Sequence, residues 1–274
     1  MKLINQSFEI LNQEDFSLIG IKKFIERCGR VCYKSEDRIT DNSYERFVNM
    51  LESNHHDRPL EFGTVHLKIE GADTFDDFID SMIATDLYHN IWFKYNYHED
   101  TYYITINYRY YLQLKNKTIA GCFFTEEDNE YYPKRYTVHF ITSRAIMDEF
   151  RTHVSLSHLA ESTRFCSYNK DKFDNEITII KPCYWDDLDV VQKQELVSSW
   201  AYCENSYLTL TNKFKLTAQK ARDLLPLAIK SELISCGFKD AWDNFFYRRC
   251  AKDAHPMARE LALNVQKKFN ENSI

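Results

Sequence analysis

Glycine and proline are scarce, six and five in 274 residues, and no Ser/Gly/Pro-rich tract interrupts the chain. That leaves no composition signal for a flexible interdomain linker and favours one elaborated domain over residues 1–274. Basic charge is in deficit as well: 35 Lys and Arg stand against 41 Asp and Glu, a formal net charge of −6. A general binder of nucleic acid polymers needs a basic excess or stripe, so that class is disfavoured, while local basic clusters can still hold a small phosphate. No apolar run approaches the roughly 20 residues that cross a bilayer, so a soluble protein with no membrane partner is expected. Nor is there an N-terminal apolar segment of the signal type. The eight cysteines (28, 32, 122, 166, 183, 203, 236 and 250) are therefore expected as reduced thiols of a cytoplasmic protein. None stands in Cys-x-x-Cys spacing. Cys28 and Cys32, four apart, suit one helix face better than a zinc site, and no metal is expected.

What is present is a hydrophobic content of 44% and an aromatic content of 15%, enough for a sizeable core. Residues 15–30, "DFSLIGIKKFIERCGR", place Leu18, Ile21, Phe24 and Ile25 at helical spacing and close on Gly29 as a C-terminal signal. A second helix is predicted over 41–53, where Tyr44, Phe47, Val48 and Leu51 recur. The period then changes: "GTVHLKIEG" (63–71) alternates as a half-buried strand does. "TYYITINYRYYLQLKN" (101–116) and "KRYTVHFIT" (134–142) read as two more strands from their β-branched and aromatic content. Further on the pattern is helical. Residues 188–214 carry Val190, Val191, Leu196, Trp200, Cys203, Tyr207 and Leu208 on one broad face. "AQKARDLLPLAIKSELISCG" (218–237) continues it with Pro226 at a kink or helix start, and two short helices are expected over 240–250 and 254–269. The order helices, strands, helices predicts an α+β fold with a mixed or antiparallel sheet flanked by helices.

Four segments carry candidate chemistry. "EFRTHVSLSHLAESTRFCSYNKDKF" (149–173) begins like a helix and loses its period. His153 and Ser162 are nine residues apart, on opposite sides of a continuous helix, so a shared site requires a break between them. Ser155, Ser157 and Ser162 make a break plausible, after which Ser162, Thr163 and Arg164 would suit a phosphate. An exposed helix with a capped end is the alternative. "SNHHDRPLEFGTVHL" (53–67) joins a helix to a strand. Its adjacent histidines point apart and lack a third metal ligand, leaving Glu61 the more useful carboxylate. "ARDLLPL" sets Arg222 before an apolar run, and "DNFFYRRCAKDAHPMARE" holds Asn244, Arg248, Arg249, Lys252 and His255. Arg249 either reaches inward to a partner or stacks on Phe245 at the surface.

In this order the segments resemble the flavin-dependent thymidylate synthases, and the likeness runs from the N-terminal helices to the C-terminus. That family's signature is Arg-His-Arg, seven residues, then Ser. Here Thr152-His153-Val154 is followed by residues 155–161 and then by Ser162, Thr163, Arg164 and Phe165. "ESTRFCSYNKDKFDNEITIIKPCYW" looks close to a bacterial and phage branch. "RPLEFGTVHL", "ARDLLPL" and "NFFYRRCAKDAH" are similar to three further elements of the family. The resemblance implies transfer of one carbon from 5,10-methylenetetrahydrofolate to C5 of dUMP, giving dTMP, with FAD reduced by NADPH. It implies Arg249 as the catalytic residue that favours loss of the uracil N3 proton. Glu149, Arg151, Ser162, Thr163, Arg164 and Arg222 would bind the nucleotide. Arg58, Glu61, Thr152, His153 and Asn244 would face the flavin, at sites shared between subunits of a homotetramer.

The departures are concentrated on the flavin side. Thr152 and Val154 replace both signature arginines, Glu149 stands for a glutamine, and Ala160 stands for a glutamate with Glu161 next to it. Phe238 and Asp240 occupy two more flavin-contacting positions. Two lost charge-assisted contacts to a diphosphate cost roughly 1.5–3 kcal/mol each unless replaced, and Arg151 is the one neighbouring replacement. Two other expectations therefore stand beside the first: a C5-modifying homologue with another acceptor or a hydroxymethyl product, and a catalytically silent nucleotide-binding subunit.

Overall fold

The computed structural model describes residues 1–83, 91–115, 122–164, 166–169 and 173–271. Its central sheet has strand order β2 (Ser7–Leu11), β7 (Arg135–Ser143), β10 (Lys230–Phe238) and β8 (Ser157–Ala160), antiparallel throughout. Helices α5 (Arg144–Phe150), α8 (Lys239–Arg249) and α9 (Pro256–Glu271) cover one face, packing Phe150, Trp242, Phe245, Leu261 and Val265 on Val138, Phe140 and Leu233. Helix α1 (Leu18–Tyr33) covers the other, with Phe24, Cys28 and Val31 against Leu159, Ile234 and Cys236.

Strand β10 corrects the sequence reading, which ran helical through residue 237. Its neighbours Leu233 and Ile234 enter different cores on opposite faces. A strand covered on both sides shows no polar alternation, so "SELISC" gave no period-two signal.

A second antiparallel sheet, order β4 (Trp92–Asn96), β5 (Thr101–Asn107), β3 (Thr64–Glu70), β6 (Cys122–Thr125), interrupts the sequence between Gly63 and β7. It packs with α2 (Ser43–Ser53), α3 (Ala72–Ile83), α4 (Tyr108–Lys115) and the second stripe of α1, Ile21 and Ile25. One helix thus serves two cores, with apolar residues spaced around more than one face. The strand expected over 101–116 stops at Asn107, whose side chain accepts the Tyr110 N–H at 3.0 Å and starts α4; residue 116 lies outside the described residues. Gly29 does not end α1. The helix runs on to Tyr33 and closes on Lys34 in the left-handed region, φ 48°. A Cβ at Gly29 would lie 2.8 Å from the Phe47 ring, so the glycine is there for the close approach of α2.

A smaller unit pairs β1 (Lys2–Ile4) in parallel with β9 (Thr178–Ile180) beside α6 (Val190–Leu208), a π turn Thr209–Lys213 and α7 (Ala218–Ala221). Asp189 and Gln192 form a capping box at the start of α6. The broad apolar face expected there is narrower: Val190 and Val191 are exposed, and Trp200, Glu204 and Tyr207 are buried. The observed class is mixed, with antiparallel sheets and flanking helices. All eight cysteines are free thiols. Among the described residues no helix is long and apolar enough to cross a membrane.

Candidate active site

The segment 149–164 breaks as its serines suggested. Ser143 caps α5 by accepting the Ile146 N–H, the helix ends at Phe150, and residues 151–156 turn into β8. Gly237 of β10 permits that turn, since a Cβ there would lie 2.5 Å from the Leu156 side chain. His153 therefore sits in the turn and Ser162 beyond a strand.

Arg249, at the end of α8, reaches inward, and its partners are polar rather than the ring of Phe245. Its Nε donates to His153 Nε2 (2.9 Å), Nη1 to Glu149 Oε2 (2.9 Å), and Nη2 to the Glu149 carbonyl (2.7 Å) and to Thr152 Oγ1 (2.9 Å). The Thr152 hydroxyl itself donates to the Glu149 carbonyl at 2.7 Å. Accepting at Nε2 leaves the proton of His153 on Nδ1. Burial first, and then the charges of Arg249, His158 and Arg248, pull the His153 imidazole down to about 4. His158 Nε2 donates to the His153 carbonyl and its Nδ1 accepts from Ser235, both at 2.9 Å. Burial also holds His158 at about 4, with Arg151 and Arg58 adding to the effect.

The neighbouring β8 residue, Ser157, donates to Glu61 Oε2 at 2.8 Å. Glu61 is buried, and Arg109 meets its Oε1 at 2.8 Å while Arg58 lies 3.4 Å from its Oε2. Arg109 escaped sequence reasoning because it fell in the half of 101–116 taken for a strand. Glu149, Thr152, His153 and Arg249 thus form one polar cluster, and Glu61, Arg58 and Arg109 form another, joined to Ser157 of β8; Asn244 accepts from Arg248 Nε at 3.4 Å. Val154 turns outward, 96% exposed.

Ser162, Thr163 and Arg164 follow β8, and Arg222 lies in a separate segment. The Ser162 N–H donates to the Cys32 carbonyl at 3.3 Å and its carbonyl accepts from Cys166 at 3.0 Å. Thr163 is half-buried and Arg164 exposed; Phe165 lies outside the described residues. Arg222 opens the short turn Arg222–Leu224, its Nε 3.9 Å from Asp223. Ala221, next to Arg222, is buried in a small core that also holds Tyr168. Glu161, next to the missing glutamate position, is buried and bound to Lys230 at 2.9 Å. That pair extends to Glu232, which also meets Lys34, and His139 at 2.9 Å. Against the upward push of burial, His139, Lys230 and Lys34 hold the Glu232 carboxyl well below its ordinary value. Phe238, at the start of α8, packs its ring 5.3 Å from Trp92 of the second sheet and lies beneath Arg135. Asp240 is exposed in the first turn.

The donor set suits an anionic cofactor. Arg58, Arg151 and Arg248 offer largely solvent-facing guanidinium groups, and Asn244 adds an exposed amide. Thr152 and Val154 contribute nothing comparable: one hydroxyl is occupied by Arg249 and the Glu149 carbonyl, and one side chain is aliphatic.

The family model described as thymidylate synthase complementing protein matches residues 134–272. No curated protein matches the chain. The matched span starts at β7 and runs through α9, so it holds three strands of the central sheet and leaves the second sheet outside. Because that span covers half of the chain and includes His153, Ser162, Arg222 and Arg249, the chain belongs to the thymidylate synthase complementing protein family, the flavin-dependent thymidylate synthases.

Proposed function

We propose that the protein transfers the one-carbon unit of 5,10-methylenetetrahydrofolate to C5 of dUMP, giving dTMP, with FAD reduced by NADPH. Family membership carries thymidylate synthase-type activity. The observation supporting the finer reading is the Arg249 guanidinium, fixed by Glu149, Thr152 and a neutral His153. A cation set in a half-buried polar face stabilises negative charge that develops on a bound uracil, which lowers the barrier to losing the N3 proton. His153 accepts a hydrogen bond from Arg249 and so orients it without adding a charge. Bound flavin would supply the electrons that turn a transferred methylene into a methyl group. Arg58, Arg151, His153 and Asn244 are the residues of this chain that would hold it.

In the family such sites lie between subunits, so the nucleotide is expected to meet Arg249 together with Ser162, Thr163, Arg164 and Arg222 where copies of the chain adjoin. A homotetramer satisfies this requirement, and light scattering on the purified protein checks it. The catalytic reading is tested by the visible spectrum and by dTMP formation from dUMP, methylenetetrahydrofolate and NADPH. A protein that takes up no flavin and makes no dTMP overturns it. Outward-facing Val154 and the engaged Thr152 favour a second reading, altered cofactor or acceptor use, including a silent nucleotide-binding subunit. Mass spectrometry of products from a panel of uridine and cytidine nucleotides separates the two.

A further inference from the structure

We propose that Glu161 and Lys230 are positioning residues for the nucleotide, a buried ion pair that fixes where the Ser162–Arg164 segment stands. This deepens the reading above that Ser162, Thr163 and Arg164 meet the nucleotide, and rests on it. Glu161 lies one residue beyond β8, immediately ahead of Ser162, and is 1% exposed. Its N–H donates to the Glu232 carbonyl at 2.8 Å, which carries the pairing of β8 with β10 one residue past Ala160. Strand alternation then puts its side chain on the α1 side of the central sheet, with that of Leu159. There its Oε2 accepts from Lys230 Nζ at 2.9 Å, and its Oε1 has no partner among the described residues. Among those residues Lys230 is the one cation that meets this carboxylate.

Lys230, the first residue of β10, does not act singly. Its Nζ also meets Glu232, whose carboxylate meets Lys34 and, at 2.9 Å, His139 Nε2 of β7. Two carboxylates and two ammonium groups, from the exit of β8, from β10 and from the end of α1, thus form a balanced buried cluster, and Glu36 meets Lys34 from the surface at 3.2 Å. Against the downward push of burial, Glu232 and Glu161 hold the Lys34 ammonium above its ordinary value. Desolvation offsets most of the attraction in such a cluster, so its gain is a fixed geometry rather than stability. What it fixes is the segment that follows. The Ser162 N–H reaches the Cys32 carbonyl at 3.3 Å, two residues before Lys34, and the Ser162 carbonyl accepts from Cys166 at 3.0 Å. Arg164, two residues beyond Ser162, is exposed. The segment is therefore anchored at its base by one buried carboxylate and open at its tip, as a segment that meets a phosphate must be.

The test measures dUMP binding by isothermal titration, with thermal melts beside it. Glu161→Leu combined with Lys230→Met removes one charge of each sign at similar volume and leaves Lys34 to balance Glu232, so this variant is expected to fold with a Tm near that of wild type. It is expected to bind dUMP about tenfold more weakly, with the KM for dUMP rising and kcat holding. Because the pair acts through the segment, that loss should vanish in an Arg164→Ala background. Glu161→Gln, which keeps the shape and one acceptor for Lys230, replaces the double variant if the latter does not fold, and is expected to weaken dUMP in the same direction. Wild-type dUMP affinity in the folded variant, or a loss that adds in full to that of Arg164→Ala, overturns the positioning role and leaves the nucleotide reading intact. An Arg164→Ala protein that binds dUMP as wild type does overturns the nucleotide reading of the segment and the positioning role together.

Discussion

At the scale of single residues, Arg249 is the point where the C-terminal helix meets the signature segment. Arg249→Ala is expected to lower kcat by about 100-fold or more, with a much smaller change in dUMP affinity, as for loss of one donor to a developing anion. Equal losses in both would reduce it to a binding residue. Glu149 places a full carboxylate on the same guanidinium. Glu149→Gln keeps the hydrogen bond and frees the charge, so dUMP should bind up to about tenfold tighter, and isothermal titration reads the change. Weaker binding would show that the carboxylate contacts the nucleotide itself. His153 and His158 give the face a pH dependence. Their ordinary value is 6.5 and the folded protein holds both at about 4, so between these values only the unfolded chain takes up the protons. The stability they confer is complete above about pH 6.5 and falls as the pH drops toward 4, by up to about 1.4 kcal/mol per unit for each imidazole. Urea midpoints that stay constant from pH 7 to pH 5 would contradict this. The inward course of Arg249 was one of two open readings in the sequence, because helical spacing places a side chain beside Phe245 without naming what lies across from it. Arg109 and the partners of Arg249 needed the fold.

At the scale of elements, hydrophobic period read best where one face is buried. Helices α1, α2, α8 and α9 and strands β3 and β7 were visible for that reason. Strand β10 and helix α4 were misread, one because both its faces are covered and the other because aromatic residues favour strands until a cap intervenes. Gly29 was taken for a stop signal when its role is contact. Gly29→Ala drives a methyl group into the Phe47 ring; overpacking costs about 1–3 kcal/mol, against about 1 kcal/mol returned by helix propensity. A fall of a few degrees in Tm is expected. An unchanged or higher Tm would mean that α2 moves aside freely.

At the scale of the whole molecule, the second sheet stands outside the matched family span yet is not a detachable ornament. Ile21 and Ile25 of α1 lie in its core while Phe24, Cys28 and Val31 lie in the core beside the central sheet. Replacing residues 64–133 by a short Gly/Ser loop would expose that stripe together with Phe47, Val48 and Leu51 of α2. Such a chain is expected to lose its cooperative thermal transition and bind hydrophobic dyes. A soluble shortened chain with a sharp melt would show instead that the sheet folds as an independent addition.

The sequence by itself determined the class of fold, the break between His153 and Ser162, the acidic balance and the order of family elements. These depend on local chemistry: spacing, caps, and residue types that need particular neighbours. Only the tertiary structure decided that Arg249 is held by Glu149, Thr152 and His153, that Glu61 belongs to Arg109 and Ser157, and that the Ser162 N–H meets the Cys32 carbonyl. Those pairings join residues as much as 100 positions apart. Such contacts exist only after β8, β10 and α8 have packed, and no periodicity along the chain records which side chains will then face each other.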